Sequence, residues 1–195
     1  MNAPDMLTFD QPSHTYRFMG AVVPGVTSLL RPLSSFAGIA PAVLEAKAKL
    51  GRDVHAACEY DDQDDLDEDF LEPDVAGYLK GWRAFRRDTH CTVLAVEKRV
   101  FEPMLQYAGT LDRLLLIEGV RWLVDLKTCF TTPVTAGPQT AAYLRALGDT
   151  SITRRAALRL RLDGTYRFDP LEGVDDWSAF MACLTLHRFK ESHAS

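Results

Sequence analysis

No two cysteines lie close together in this sequence. Cys58, Cys91, Cys129 and Cys183 are widely separated, which excludes the paired short spacing of a zinc site and predicts reduced thiols. No apolar run is long enough to cross a bilayer. The opening MNAPDMLTFD lacks a basic region followed by an apolar stretch. Neither a membrane partner nor a secretory signal is therefore expected, and the default location is cytoplasmic. The phosphate loop GxxxxGK[ST] is missing as well, so no nucleotide cofactor and no ATP-driven motor is expected. Internal repeats and low-complexity linkers are also missing. What remains is a single expected domain over 1–195, long enough to bury a real core.

A net charge of −5 argues against a nucleic-acid partner only until its distribution is considered. Residues 61–74, DDQDDLDEDFLEPD, hold nine acids and no base, so the other residues together are net positive. This run lacks the glycine and closing glutamate of an EF-hand loop. Its plain reading is a solvated loop. A second reading makes it a cover over a basic groove, removed by a partner.

The pattern of residues predicts the elements. A lead-in over 1–40 contains a hairpin, YRF–MG–AVV, and a turn at Pro24-Gly25. Residues 41–60 favour a helix, and so does DVAGYLKGWRAFRRDT, with Val75, Tyr78, Leu79, Trp82 and Phe85 at helical spacing. Three strand-like runs follow, and Glu118-Gly119 predicts that the second and third pair as an antiparallel hairpin. GPQTAAYLRALG opens on proline and closes on glycine, as a helix does. RRAALRLRLDGTYRF alternates, with Ala156, Leu158, Leu160 and Leu162 on one face and Arg155, Arg159 and Arg161 on the other. A last helix over roughly 174–190 carries Trp177, Phe180, Met181, Leu184 and Phe189. The order is helix, three strands, helix, strand, which is an α/β (α+β) arrangement with a core over 51–162 and an appended strand and helix over 163–195.

Within the strands, GTLDRLLLIEGVRWLVDLKT places Asp112, Asp125 and Lys127 among apolar neighbours. Asp125 and Lys127 share a face, and a paired strand can bring Asp112 alongside. Two converging carboxylates repel each other, and a divalent cation relieves that repulsion. Oxygen ligands favour Mg²⁺ or Mn²⁺, and a neighbouring ammonium suits phosphodiester hydrolysis. The plain alternative is an ion pair at a strand end, with Asp112 in water. Glu97, in VLAVEKRV, is either a further ligand or a partner for an arginine. His55 and Glu59 share a helix face, as do Gln139 and Tyr143; each pair is either functional or an ordinary helix surface.

In order, GRDVHAACE, AVEKRV, GTLDRL, VDLKT and QTAAY resemble the PD-(D/E)XK nuclease superfamily, in its RecB-type and phage-type exonuclease branch. The likeness covers roughly 51–145, and HTYRFMGAVVPGVTSLL is similar to that branch's lead-in, with Gly25 where a serine is usual. The resemblance implies a restriction-endonuclease-like core with a central mixed sheet flanked by helices. It implies metal ligands at Asp112, Asp125 and the Leu126 carbonyl, with His55 and Glu97 as further metal-side groups. Lys127 becomes the catalytic lysine, and Gln139 and Tyr143 hold the strand near it. Some relatives hold an iron–sulfur cluster through three clustered C-terminal cysteines; only Cys183 lies in this tail, so no cluster is expected. The implied activity is a Mg²⁺- or Mn²⁺-dependent DNA exonuclease of phage or prophage recombination or repair, working in the bacterial or infected host cell. Its substrate is linear DNA, duplex or single-stranded at its ends, and a recombination or single-strand-annealing protein is a candidate partner. Arg52, Arg154, Arg155, Arg159 and Arg161 are candidate phosphate contacts, or else a solvated strand face. The alternatives are a nicking or structure-specific endonuclease of the same fold and a non-catalytic DNA-binding module.

Overall fold

The computed structural model describes residues 6–11, 13–34 and 38–194. Residues 1–5 and 195, at the ends of the expected domain, and 12 and 35–37 of the lead-in lie outside the described residues. Three short strands open the chain: β1 (Leu7–Asp10), β2 (Thr15–Phe18) and β3 (Ala21–Val23), a small antiparallel sheet. The expected hairpin is β2–β3, turned by Met19 and Gly20, both with positive φ. β1 was not legible, because LTFD is too short to show alternation. A single turn of helix, α1 (Val26–Leu29), follows.

α2 (Pro41–Asp62) and α3 (Pro73–Thr89) each begin on the proline that a first helical turn accepts. The main sheet comprises β4 (Thr92–Glu102), β5 (Tyr107–Ile117), β6 (Val120–Lys127), β7 (Arg154–Leu160) and β8 (Tyr166–Pro170), in that spatial order. All neighbours are antiparallel except β6 and β7, which are parallel and joined through α4 (Ala136–Leu147). α5 (Asp176–Ser192) closes the chain. The architecture is α+β with a five-stranded mixed sheet. No helix among the described residues is long and apolar enough to cross a membrane.

Strand alternation gives the sheet two apolar faces. Leu114, Leu123 and Tyr107 pack with Val26, Leu29, Tyr143, Phe180 and Leu184 of α1, α4 and α5. Leu115, Val124, Leu126 and Leu158 pack with Val54 and Cys58 of α2 and with Leu79, Trp82 and Phe85 of α3. The small sheet covers the start of β5 through Tyr16, Phe101 and Ala108. α3 lies so close to the β7–β8 turn that a Cβ on Gly77 would sit 2.0 Å from the Leu162 carbonyl oxygen.

Three expectations need correction. The acidic run is not one solvated loop: Asp61 and Asp62 complete α2, and Glu68–Phe70 form a 3-10 turn. Leu162, expected on the apolar face of β7, lies beyond the end of that strand and is exposed. The arginine face of β7 is not solvated at Arg155 and Arg159 either. α4 and α5 cover it, and Arg155 donates to the Gly137 carbonyl and pairs with Asp176 at 2.9 Å.

Candidate metal and carboxylate site

The site lies where the sheet parts. β5 and β6 are in register from Ile117↔Val120 to Arg113↔Val124, and the next pair would be Asp112 with Asp125. There the side chain of Asp112 takes over from the ladder: its Oδ2 accepts a hydrogen bond from the Leu126 N–H at 2.7 Å. On the other side of β5, the pairs Val96↔Arg113 and Lys98↔Leu111 put Glu97 opposite Asp112. Glu97 has φ +43, a left-handed conformation that costs a non-glycine residue about 1–3 kcal/mol.

α2 brings His55 to this gap from one face of the sheet. Its Nε2 lies 3.1 Å from the Leu126 carbonyl oxygen. That oxygen can only accept, so Nε2 carries the proton. Nδ1 then points at two carboxylates, 3.7 Å from Asp112 Oδ1 and 3.8 Å from Glu97 Oε1. These separations are too long for hydrogen bonds. Burial works against a charged His55, but the Asp112 and Glu97 carboxylates outweigh it and raise its pKa above the ordinary histidine value. His55, Glu97 and Asp112 each offer a ligand atom, and these atoms lie within 4.8 Å of one another. A nitrogen lone pair and two carboxylates at this spacing can hold a cation.

From the other face α4 supplies Gln139 and Tyr143, one turn apart. Gln139 Nε2 donates to Asp125 Oδ1 at 3.0 Å and to the Tyr143 hydroxyl at 3.2 Å, and its Oε1 accepts from Lys127 at 3.3 Å. The Lys127 ammonium lies 2.6 Å from Asp125 Oδ2, yet outside the angles of a hydrogen bond, and this buried oxygen accepts none. Burial raises the Asp125 pKa to about 6, despite the attraction of Lys127 and with the help of the Asp112 charge. Burial opposes the charge on Lys127, but the Asp125 and Asp112 carboxylates prevail and raise its pKa. Burial also raises the Tyr143 hydroxyl well above its ordinary value, so it stays protonated.

The structure therefore brings together Asp112, Asp125, Lys127, Gln139, Tyr143, His55, Glu97 and the Leu126 carbonyl. Asp125 stands beside the three-residue ligand group, held by Lys127 and Gln139. Gln139 and Tyr143 are buried, and their polar atoms meet Asp125, Lys127 and each other. Arg155 is tied to α4 and α5, and Arg159 pairs with Asp169 at 2.5 Å and donates to the Phe130 carbonyl. Arg52 is exposed and pairs with Glu45 at 2.8 Å. Arg154 pairs with Glu172 at 3.2 Å.

Sequence reasoning missed three contributors. Arg113 is fully buried; its Nε donates to Asp62 Oδ2 at 2.7 Å, and its Nη1 reaches Glu97 Oε1 at 3.3 Å and the Asp112 carbonyl at 2.8 Å. Asp62, counted as part of a loop, is thus the buried anchor behind Glu97, and it also accepts from the Trp82 indole at 3.0 Å. Tyr16 comes from the small sheet and meets Thr110 at 2.9 Å, two residues before Asp112. The only available signal was Arg113 as a charge inside an apolar strand. Gly109 of the same strand has a spatial reason: a Cβ there would lie 2.4 Å from the Tyr143 ring.

No protein-family model and no curated protein matches the chain. Among solved structures it is similar to that of SSO0001, at 13% identity and a TM-score of 0.43, over 87% of this chain and 76% of the other.

Proposed function

We propose that this chain is a divalent-metal-dependent nuclease of the PD-(D/E)XK type, an exonuclease that hydrolyses phosphodiester bonds at DNA ends. The observation that carries this reading is the meeting of two half-sites across one parted sheet. Asp112, Glu97 and His55 gather on one side, and Asp125, Lys127 and Gln139 on the other. A simple strand-end ion pair between Asp125 and Lys127 does not account for the second acidic group gathered beside it.

The residues fit a divalent cation. His55 Nδ1 and the Glu97 and Asp112 carboxylates would hold it, while the Leu126 carbonyl fixes the imidazole through Nε2. Such an ion neutralises phosphate charge and acidifies water. Its mixed nitrogen and oxygen donors suit Mn²⁺. The protein's own part is positional. Gln139 and Asp125 fix the Lys127 ammonium, which orients the attacking water and offsets charge gathering on the phosphate. Water adds at phosphorus, the bond to the leaving sugar oxygen opens, and that oxygen takes a proton.

The test uses end-labelled linear DNA with Mn²⁺, Mg²⁺ or EDTA. Wild type is expected to shorten the substrate only with metal, and Lys127→Ala to lose at least 100-fold, of the order expected for removing one transition-state charge contact. Equal behaviour of wild type and Lys127→Ala would remove the assignment. Nicking of closed circular DNA would favour an endonuclease instead.

A further inference from the structure

Beside the site stands a large aromatic side chain that no core claims. Phe130 is 76% exposed and follows Lys127 by three residues, so their Cα atoms are at most about 11 Å apart. Because β6 and β7 are parallel, the segments that follow them leave the sheet at the same edge. Lys127 ends β6 at that edge, and Arg161 immediately follows β7 there. The Arg161 guanidinium lies 4.6 Å from the Phe130 ring centroid, and it pairs with no carboxylate among the described residues.

The loop that presents this pair is fixed. Arg159, in register with Lys127, donates to the Phe130 carbonyl, and its partner Asp169 also accepts from Thr132 at 2.6 Å. An exposed ring on a braced loop, backed by an unpaired planar cation, offers what a nucleobase and its phosphate require: a π face and positive charge. Base pairs inside a duplex are stacked on both faces and cannot reach the ring, whereas an unpaired base can.

We propose that Phe130 and Arg161 form a stacking platform for an unpaired nucleobase at a single-stranded DNA end. The inference deepens the nuclease reading and rests on it for the identity of the ligand. The test is direct binding of two fluorescein-labelled DNAs, a single-stranded oligodeoxynucleotide and a relaxed, covalently closed circular duplex, both in EDTA at low salt. Phe130→Ala is expected to weaken single-strand binding about tenfold, within the range for loss of one base–aromatic stack, and to leave duplex binding and Tm unchanged. Phe130→Trp is expected to retain affinity and to show emission quenched by the single strand beyond that of wild type. Unchanged single-strand affinity in Phe130→Ala would overturn the proposal, and so would an equal loss on both DNAs. The two readings fail separately: absence of metal-dependent cutting with a selective Phe130→Ala binding loss removes the nuclease and keeps the platform. Cutting with unaltered Phe130→Ala binding does the reverse.

Discussion

Asp125→Asn should make the metal-free protein more stable at neutral pH while disabling its site. The Asp125 carboxyl is 1% exposed, and one of its oxygens accepts no hydrogen bond. Burial raises its pKa from 3.8 to about 6, and about two units correspond to about 3 kcal/mol. The sign follows from linkage. The folded state holds its proton more tightly than the unfolded chain, so the protein is favoured while the group is protonated. That advantage is lost as pH rises from about 4 through about 6. Asparagine mimics the protonated form at every pH. In EDTA, Asp125→Asn and wild type should therefore melt together near pH 4 and diverge above it. By pH 7.5 the variant should be higher by about 6–12 °C, taking about 2–4 °C per kcal/mol for a chain of this size. Differential scanning calorimetry across pH 4–8 measures this directly. A pH-independent difference, or a variant less stable at pH 7.5, would refute the claim that an ionised Asp125 is held at a cost.

Other expectations follow from the packing. Asp62→Ala leaves the fully buried Arg113 without its main partner and should cost about 3–5 kcal/mol in urea unfolding, whereas Asp65→Asn in the exposed part of the same run should stay within about 0.5 kcal/mol. Gly77→Ala drives a methyl group into the backbone of the β7–β8 turn and should cost about 1–3 kcal/mol by the same measurement. Gly51→Ala, where the new Cβ meets only Thr128 Oγ1 at 3.8 Å, should gain about 0.5–1 kcal/mol within α2. Arg155→Ala should lower Tm by several degrees, whereas Arg52→Ala, an exposed pair, should leave Tm unchanged.

Much of the fold was legible because its signals are local. The prolines at 41 and 73, the Glu118-Gly119 turn and the α3 stripe each specify an element from a few neighbouring residues. The hairpin placed Asp112 near Asp125 for the same reason. What was not legible depends on residues far apart in the chain. Asp62 and Arg113 meet across α2 and β5, and nothing near either one distinguishes a buried acid from its solvated neighbours. Alternation correctly put Arg155 and Arg159 on one face of β7, but only α4, α5 and β8 decide that this face is covered. The left-handed backbone at Glu97 left no trace in AVEKRV.

The contact between Gly109 and the Tyr143 ring has a consequence for how the chain can change over time. A Cβ at 109 would meet that ring at 2.4 Å and Val26 Cγ2 no nearer than 3.4 Å, so a smaller residue at 143 would open the position to alanine. The two positions, 34 residues apart, thus share one volume. Their substitutions should be tolerated together where either alone is not, and a double-mutant cycle would register that dependence as a coupling of about 0.5–3 kcal/mol.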